Sequence, residues 1–101
     1  MGYQVALSPS AQRDLRSIVR YISVDSPDRA VRFGQFLVSS IKRLAELPEM
    51  GRVVREFENP SIREIVVRSY RVIYRVDHGD CRVDVLRFWH GARGIPRIEG
   101  E

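Results

Sequence analysis

A chain of 101 residues with 44% hydrophobic and 30% charged side chains has the size and composition of a single globular domain spanning residues 1–101, without room for a second core and with too much apolar surface for a disordered polymer. Its one cysteine, Cys81, excludes an intramolecular disulfide, no Cys and His cluster has metal-ligand spacing, and no apolar run approaches the ~20 residues that cross a bilayer, so a cytoplasmic protein without membrane partner or metal is expected. The formal charge is +4 and sixteen of the 17 basic residues are arginine, a bias that suits bidentate binding of carboxylate or phosphate and equally suits a GC-rich genome.

Residues 1–7 lack the basic and apolar regions of a secretory signal. Within them Tyr3 to Leu7 alternates at period two, which predicts a short strand with one buried face. Ser8 is a good N-cap and Pro9 fits a first helical position, where a missing N–H costs nothing. Ala11, Leu15, Ile18, Val19 and Ile22 then recur at helical spacing and predict an amphipathic helix. Ser26, Pro27 and Asp28 repeat the start signal, and the acidic residue complements the helix dipole. The second helix carries the stripe Ala30, Phe33, Leu37, Ile41 and Leu44 and stops at Pro48 and Gly51, so the two helices form an antiparallel hairpin.

No period is visible between Gly51 and Pro60, and this segment is expected to be a connection. Three β-rich runs follow, Ile62 to Arg68, Tyr70 to Val76 and Cys81 to Trp89, which predict an antiparallel meander. The order is β-α-α-β-β-β, an α+β fold with the N-terminal strand and the helical hairpin on one face of an antiparallel sheet. In the middle strand Tyr70, Val72, Tyr74 and Val76 are expected to face the helices, which leaves Arg71, Ile73 and Arg75 on an open face. The alternation of the last strand breaks at Val85 and Leu86, so a bulge or a doubly covered strand end is expected just before Arg87. Cys81 is expected to be a small buried hydrophobe. A domain this short buries only roughly two-thirds of its unfolded surface, so a partner that covers more of it is worth seeking.

The run Pro48 to Arg52, then Glu56, then Tyr70 to Val76, and finally Phe88 to Arg93, in this order and behind a strand and a helical hairpin, resembles the RelE/ParE toxin superfamily over nearly the whole chain. The resemblance implies the growth-inhibiting toxin of a type II toxin–antitoxin system, of the kind that serves plasmid stabilisation, silenced by a cognate antitoxin and requiring no cofactor. One branch of the superfamily cleaves messenger RNA on the ribosome. The other poisons DNA gyrase. The ending His90-Gly91-Ala92-Arg93 and the exit Pro48-Glu49-Met50-Gly51-Arg52 look like the ParE branch, which acts as a protein ligand and not as an enzyme.

If RNA cleavage is the activity, the resemblance implies Arg71 as the phosphate cation, with His90 and Glu56 as acid and base. Residues 91–96 contain no aromatic side chain, however, where the RNA-cleaving members commonly carry one. In the protein-ligand reading Arg71, Arg75, Arg87, Trp89 and Arg93 are the expected contacts with antitoxin or target. Several of these residues have a structural alternative. Arg71 and Arg75 can pair with Glu64 or Asp84 across strands, His90 can hydrogen-bond the chain where the sheet ends, and Glu56 can pair with Arg52 or Arg55. Phe88 and Trp89 fit core or antitoxin-covered surface better than a stacking platform.

Overall fold

The computed structural model describes residues 2–98. The two Ser-Pro pairs start the two helices. The Ala11 N–H donates to Ser8 Oγ at 3.1 Å and the Arg29 N–H to Ser26 Oγ at 3.2 Å, so each serine satisfies a backbone donor that the first turn leaves without a partner. Pro9 and Pro27 occupy the first helical positions of α1 (Pro9–Ser23) and α2 (Pro27–Lys42). A 3-10 turn, Arg43–Ala45, prolongs α2. No helix among the described residues is long and apolar enough to cross a membrane.

Five strands form one sheet in the order β1-β5-β4-β3-β2: β1 (Gln4–Leu7), β2 (Arg52–Val53), β3 (Ile62–Val67), β4 (Tyr70–Asp77) and β5 (Arg82–His90). The meander β3-β4-β5 is antiparallel, as its turns require. The helical hairpin carries the chain from one edge of the sheet to the other, and the meander brings it back beside β1. That return makes the β1–β5 pair parallel, with Val5 opposite Val83 and Leu7 opposite Val85. The sheet is therefore mixed at one edge. At the other edge lies β2, a strand inside the segment expected to be a plain connection.

The main core lies between the helices and one sheet face. Ile18, Leu37, Ile41 and Leu44 meet Val72, Tyr74, Val76, Val83, Val85 and Phe88 there. The expectation of an open second face does not hold. Ile73 is fully buried in a second cluster with Val54, Ile62, Leu86, Trp89 and Ile98, with Phe57 packed against it. These covers come from the segment after β2 and from the C-terminal tail, which fold back over the sheet from both sides of the meander.

The broken alternation of β5 does become a bulge. Tyr74 pairs with Val85 but Ile73 pairs with Arg87, which leaves Leu86 as the extra residue. Val85 thereby joins the helix-side core and Leu86 the second cluster, since an inserted residue re-aims the side chains beyond it. Ser8 holds this point, with its N–H on Val85 O at 2.9 Å and its Oγ on Leu86 O at 3.0 Å. Cys81 corrects another expectation: it is exposed, not buried. It closes the β4–β5 turn with φ +50°, a left-handed conformation outside the strand alternation that placed it in the core.

Candidate functional site

Two arrangements of chemistry-bearing side chains stand on opposite faces of the sheet. On the face away from the helices, β4 sets Arg71 opposite Val66 of β3 and Trp89 of β5, and Glu64 lies diagonally across from it. Arg71 Nε donates to Glu64 Oε1 at 2.5 Å and Nη2 to Glu64 Oε2 at 3.2 Å. Its outer fork is filled too, with Nη1 on Glu56 Oε2 at 3.0 Å and Nη2 on Glu56 Oε1 at 2.9 Å. Arg52 Nε adds a bond to Glu64 Oε2 at 2.9 Å. Glu64 is buried, at 2% exposure, and tolerates it because two guanidiniums share its charge. The hydrogen bonds to Arg71 hold the Glu56 carboxyl below the usual carboxylate value of 4.5, against the opposing effect of burial. In return Glu56 first, and Glu64 second, raise the guanidinium of Arg71 above its already high value.

The backbone beneath this cluster explains the turn that enters β2. Tyr74 Oη accepts the Gly51 N–H at 3.0 Å, and an ideal Cβ at Gly51 would lie 2.3 Å from Glu64 O. Only glycine lets the chain pass that close. Burial raises the Tyr74 phenol above its ordinary 10.0. Glu56 then sits in the 3-10 turn Arg55–Phe57, which Val54 and Phe57 anchor to the second cluster.

On the helix face Tyr70 and His90 pair across β4 and β5, with ring centroids 5.2 Å apart and edge to face. His90 Nδ1 accepts the Ala92 N–H at 3.1 Å and so caps the 3-10 turn Gly91–Arg93. Tyr70 continues into an aromatic ladder, with Phe33 at 5.8 Å and Phe36 a further 6.5 Å on. The guanidinium of Arg68 lies 4.7 Å from the Phe36 ring centroid, within cation–π range. These groups, with Tyr21, Arg29 and Arg32, line a cleft of about 740 Å³ at the end of the helical hairpin. Phe36 is 42% exposed and Tyr21 80%. Sequence reading passed over this cleft, although an aromatic at position 36, off the core stripe of α2, was a usable signal.

A third cluster gathers near the free end of β5. Arg87 holds Asp14 of α1 through Nε at 2.7 Å and Nη2 at 2.9 Å, and Asp14 Oδ2 also accepts the Phe88 N–H at 3.0 Å. Asp14 thus covers the β5 edge beyond the end of β1. Arg93 stacks 3.8 Å from the Trp89 ring centroid and Arg87 lies 4.8 Å from it, while Trp89 Nε1 donates to Gly94 O at 3.1 Å. Trp89 itself is 3% exposed. Arg75 lies opposite Ile62 and Asp84 in the register and is half-buried.

Of the residues singled out for cleavage, Glu56 and Arg71 therefore come together, and His90 faces the other way. Arg87, Trp89 and Arg93 form a group of their own. Arg71 pairs with Glu64, as the structural alternative had it, but Glu56 pairs with Arg71 in place of Arg52 or Arg55. Among the described residues no three His, Cys, Asp or Glu side chains are grouped to hold a metal ion.

Comparison with known proteins agrees with this architecture. The chain resembles a chain from the structure of the chromosomal ParDE toxin–antitoxin system from P. aeruginosa, at TM-score 0.71 and 22% identity over 87% of this chain and 95% of that one. A RelBE toxin–antitoxin complex from Mycobacterium tuberculosis matches at TM-score 0.63 and 24% identity, over 89% of this chain and 99% of that one. A mutant of the E. coli toxin RelE in the free state matches at TM-score 0.67 and 19% identity, over 93% and 88%. At these identities the likeness is one of fold. No curated protein matches the sequence. The family model for the ParE toxin of the type II toxin–antitoxin system parDE matches residues 5–95, nearly the full length, and the chain belongs to that family.

Proposed function

We propose that this protein is a cytoplasmic ParE-like toxin that inhibits DNA gyrase by binding it as a protein ligand, and that a cognate antitoxin neutralises it. The observation that carries this reading is the state of Arg71. Cleavage through an RNA 2′-hydroxyl needs an acid, a base and a free cation converging on one phosphate. Here both donor edges of Arg71 already rest on carboxylates, Glu56 has both its oxygens on that arginine, and His90 lies on the opposite sheet face with Nδ1 in use. So placed, the three groups do not converge on one phosphate. The cleft beside Phe36 and Arg68, by contrast, offers exposed aromatic surface ringed by arginines, which suits an acidic, amphipathic segment of a protein partner. Supercoiling by purified gyrase, measured beside messenger cleavage in a ribosome-coupled translation reaction, tests the proposal. Inhibited supercoiling with intact messages is expected. Cut messages with normal supercoiling would overturn it in favour of a RelE-like ribosome-dependent endoribonuclease using Arg71, His90 and Glu56.

A further inference from the structure

The two donor edges of Arg71 are held by carboxylates of different standing. Its Nε edge rests on Glu64, which is 2% exposed and is bound by Arg52 as well, so that carboxylate belongs to the folded sheet. Its outer fork rests on Glu56, whose side chain is 27% exposed and which comes from the 3-10 turn between β2 and β3. Around them Arg52, Arg55, Glu56, Glu64 and Arg71 line an open depression of about 610 Å³. Three guanidiniums and two carboxylates leave this depression with one net positive charge, and with two when Glu56 swings away. A partly exposed ion pair contributes little net free energy, because water solvates both ions well when they separate. The inner pair stays when the outer one opens.

We propose that Glu56 is a built-in stand-in for a partner's carboxylate, occupying the outer fork of Arg71 until an acidic side chain of a protein partner displaces it. The fork is already shaped for that group, since Nη1 and Nη2 each meet one oxygen of the Glu56 carboxylate, at 3.0 and 2.9 Å, the bidentate match of guanidinium to carboxylate. Glu64 remains beneath the fork with its full charge, so the site opposes a doubly charged phosphate monoester more strongly than a singly charged carboxylate; a phosphodiester is a monoanion as well, and the oligouridylate arm of the test below separates it from the carboxylate. Once Glu56 is out, Arg52 and Arg55 are the nearby cations for a second acidic group. The device makes docking conditional, because a ligand without a carboxylate to offer leaves the fork closed. The proposal rests on the reading above only in taking the partner to be a protein.

Binding of a capped tetraglutamate peptide to the full chain, followed by titration of the Arg71 Nε–H and backbone amide resonances, tests it. If Glu56 holds the fork about nine-tenths of the time, Glu56→Ala raises the apparent affinity about tenfold, since removing a competitor restores the binding-competent fraction. Glu58→Asn makes the same charge change in the same loop, at a left-handed position with φ +50° that asparagine tolerates, and is expected to gain less than about twofold from charge alone. Arg71→Lys in the Glu56→Ala background keeps the charge, removes the fork and should return the affinity to that of the wild type. Equal gains for Glu56→Ala and Glu58→Asn, no gain for Glu56→Ala, or a larger gain for a four-phosphate oligouridylate than for the peptide would each overturn the proposal. Gyrase plays no part in the titration, so this inference and the assignment of the target fail independently.

Discussion

Gly51 is the residue on which the Arg71 face depends. Its Cβ-less backbone lets β2 lie against Glu64, and its N–H finds the buried phenol of Tyr74. Gly51→Ala must move a backbone carbonyl, and not the end of a flexible side chain, so we expect a loss of roughly 1–3 kcal/mol in urea unfolding, typical of overpacking. Tyr74→Phe leaves the Gly51 N–H buried without its acceptor and is expected to cost about 1–3 kcal/mol. The same phenol gives a pH signature. Burial raises its pKa, so its neutral form contributes stability that is full below the ordinary value of 10.0 and is lost as pH rises through the raised one. The alkaline loss of stability should therefore be shallower in Tyr74→Phe, and identical slopes would contradict the assignment. His90 bears on the target instead. Its ring caps a turn and packs on Tyr70, so His90→Gln should fold and stay toxic, with DNA damage and not truncated messages in the cells that express it. Were His90 a proton donor in RNA cleavage, the same change would reduce the rate roughly 10²–10⁴-fold, and a folded, non-toxic variant would show that.

At the scale of elements, the 3-10 turn Arg55–Phe57 is what brings Glu56 to Arg71. Because Arg71 lowers the Glu56 pKa, the pair contributes stability that is present above the usual carboxylate value and is lost as pH falls through the lowered one. Glu56→Gln should flatten the part of the acid unfolding profile below pH 4.5, measured by urea midpoints across pH. An unchanged profile would mean the ion pair opens freely in solution. The sequence carried clear signals for the helices, because Ser8-Pro9 and Ser26-Pro27 are local start signals that need nothing from the rest of the chain. The bulge was equally legible, since two adjacent apolar residues, Val85 and Leu86, cannot both obey a period of two. The strand Arg52–Val53 was not. It is two exposed residues long and is held by pairing with Glu64 and Arg63, a non-local cause that leaves no period. The second cluster escaped notice for a related reason. Ile73 sits between two arginines, and its covers, Val54 and Ile98, lie far away in sequence. Arg71 and Arg75 thus suggested an open face, and the ion pairs beneath it became visible only in three dimensions.

As a whole the molecule has used its own chain to cover both faces of its sheet. Its radius of gyration, 13.4 Å, matches the ~13 Å of a compact domain of about 100 residues. The large apolar side chains still exposed include Tyr21 and Val24 at the connecting end of the helical hairpin and Phe36 along α2, with Val66 on the opposite face of the sheet. A partner seated in the cleft between Phe36, Arg68 and Tyr70 would cover most of the first group while its acidic residues met Arg29, Arg32 and Arg68. Binding to the folded state alone stabilises it by about 2.7 kcal/mol at a hundredfold excess over Kd. For a domain of this size that corresponds to a rise in Tm on the order of 10 °C. We therefore expect a cognate antitoxin to raise the melting midpoint by at least that amount at saturation. Phe36→Asp should remove most of the rise, because it places a carboxylate where the partner's own would approach the arginines and deletes the exposed aromatic anchor. Leu47→Asp, past the C-terminal end of α2, away from both the cleft and the Arg71 fork and 53% exposed in the wild type, should leave the rise intact. A midpoint unmoved by saturating antitoxin would sink the partnership, and equal losses in the two variants would place the contact somewhere other than this cleft.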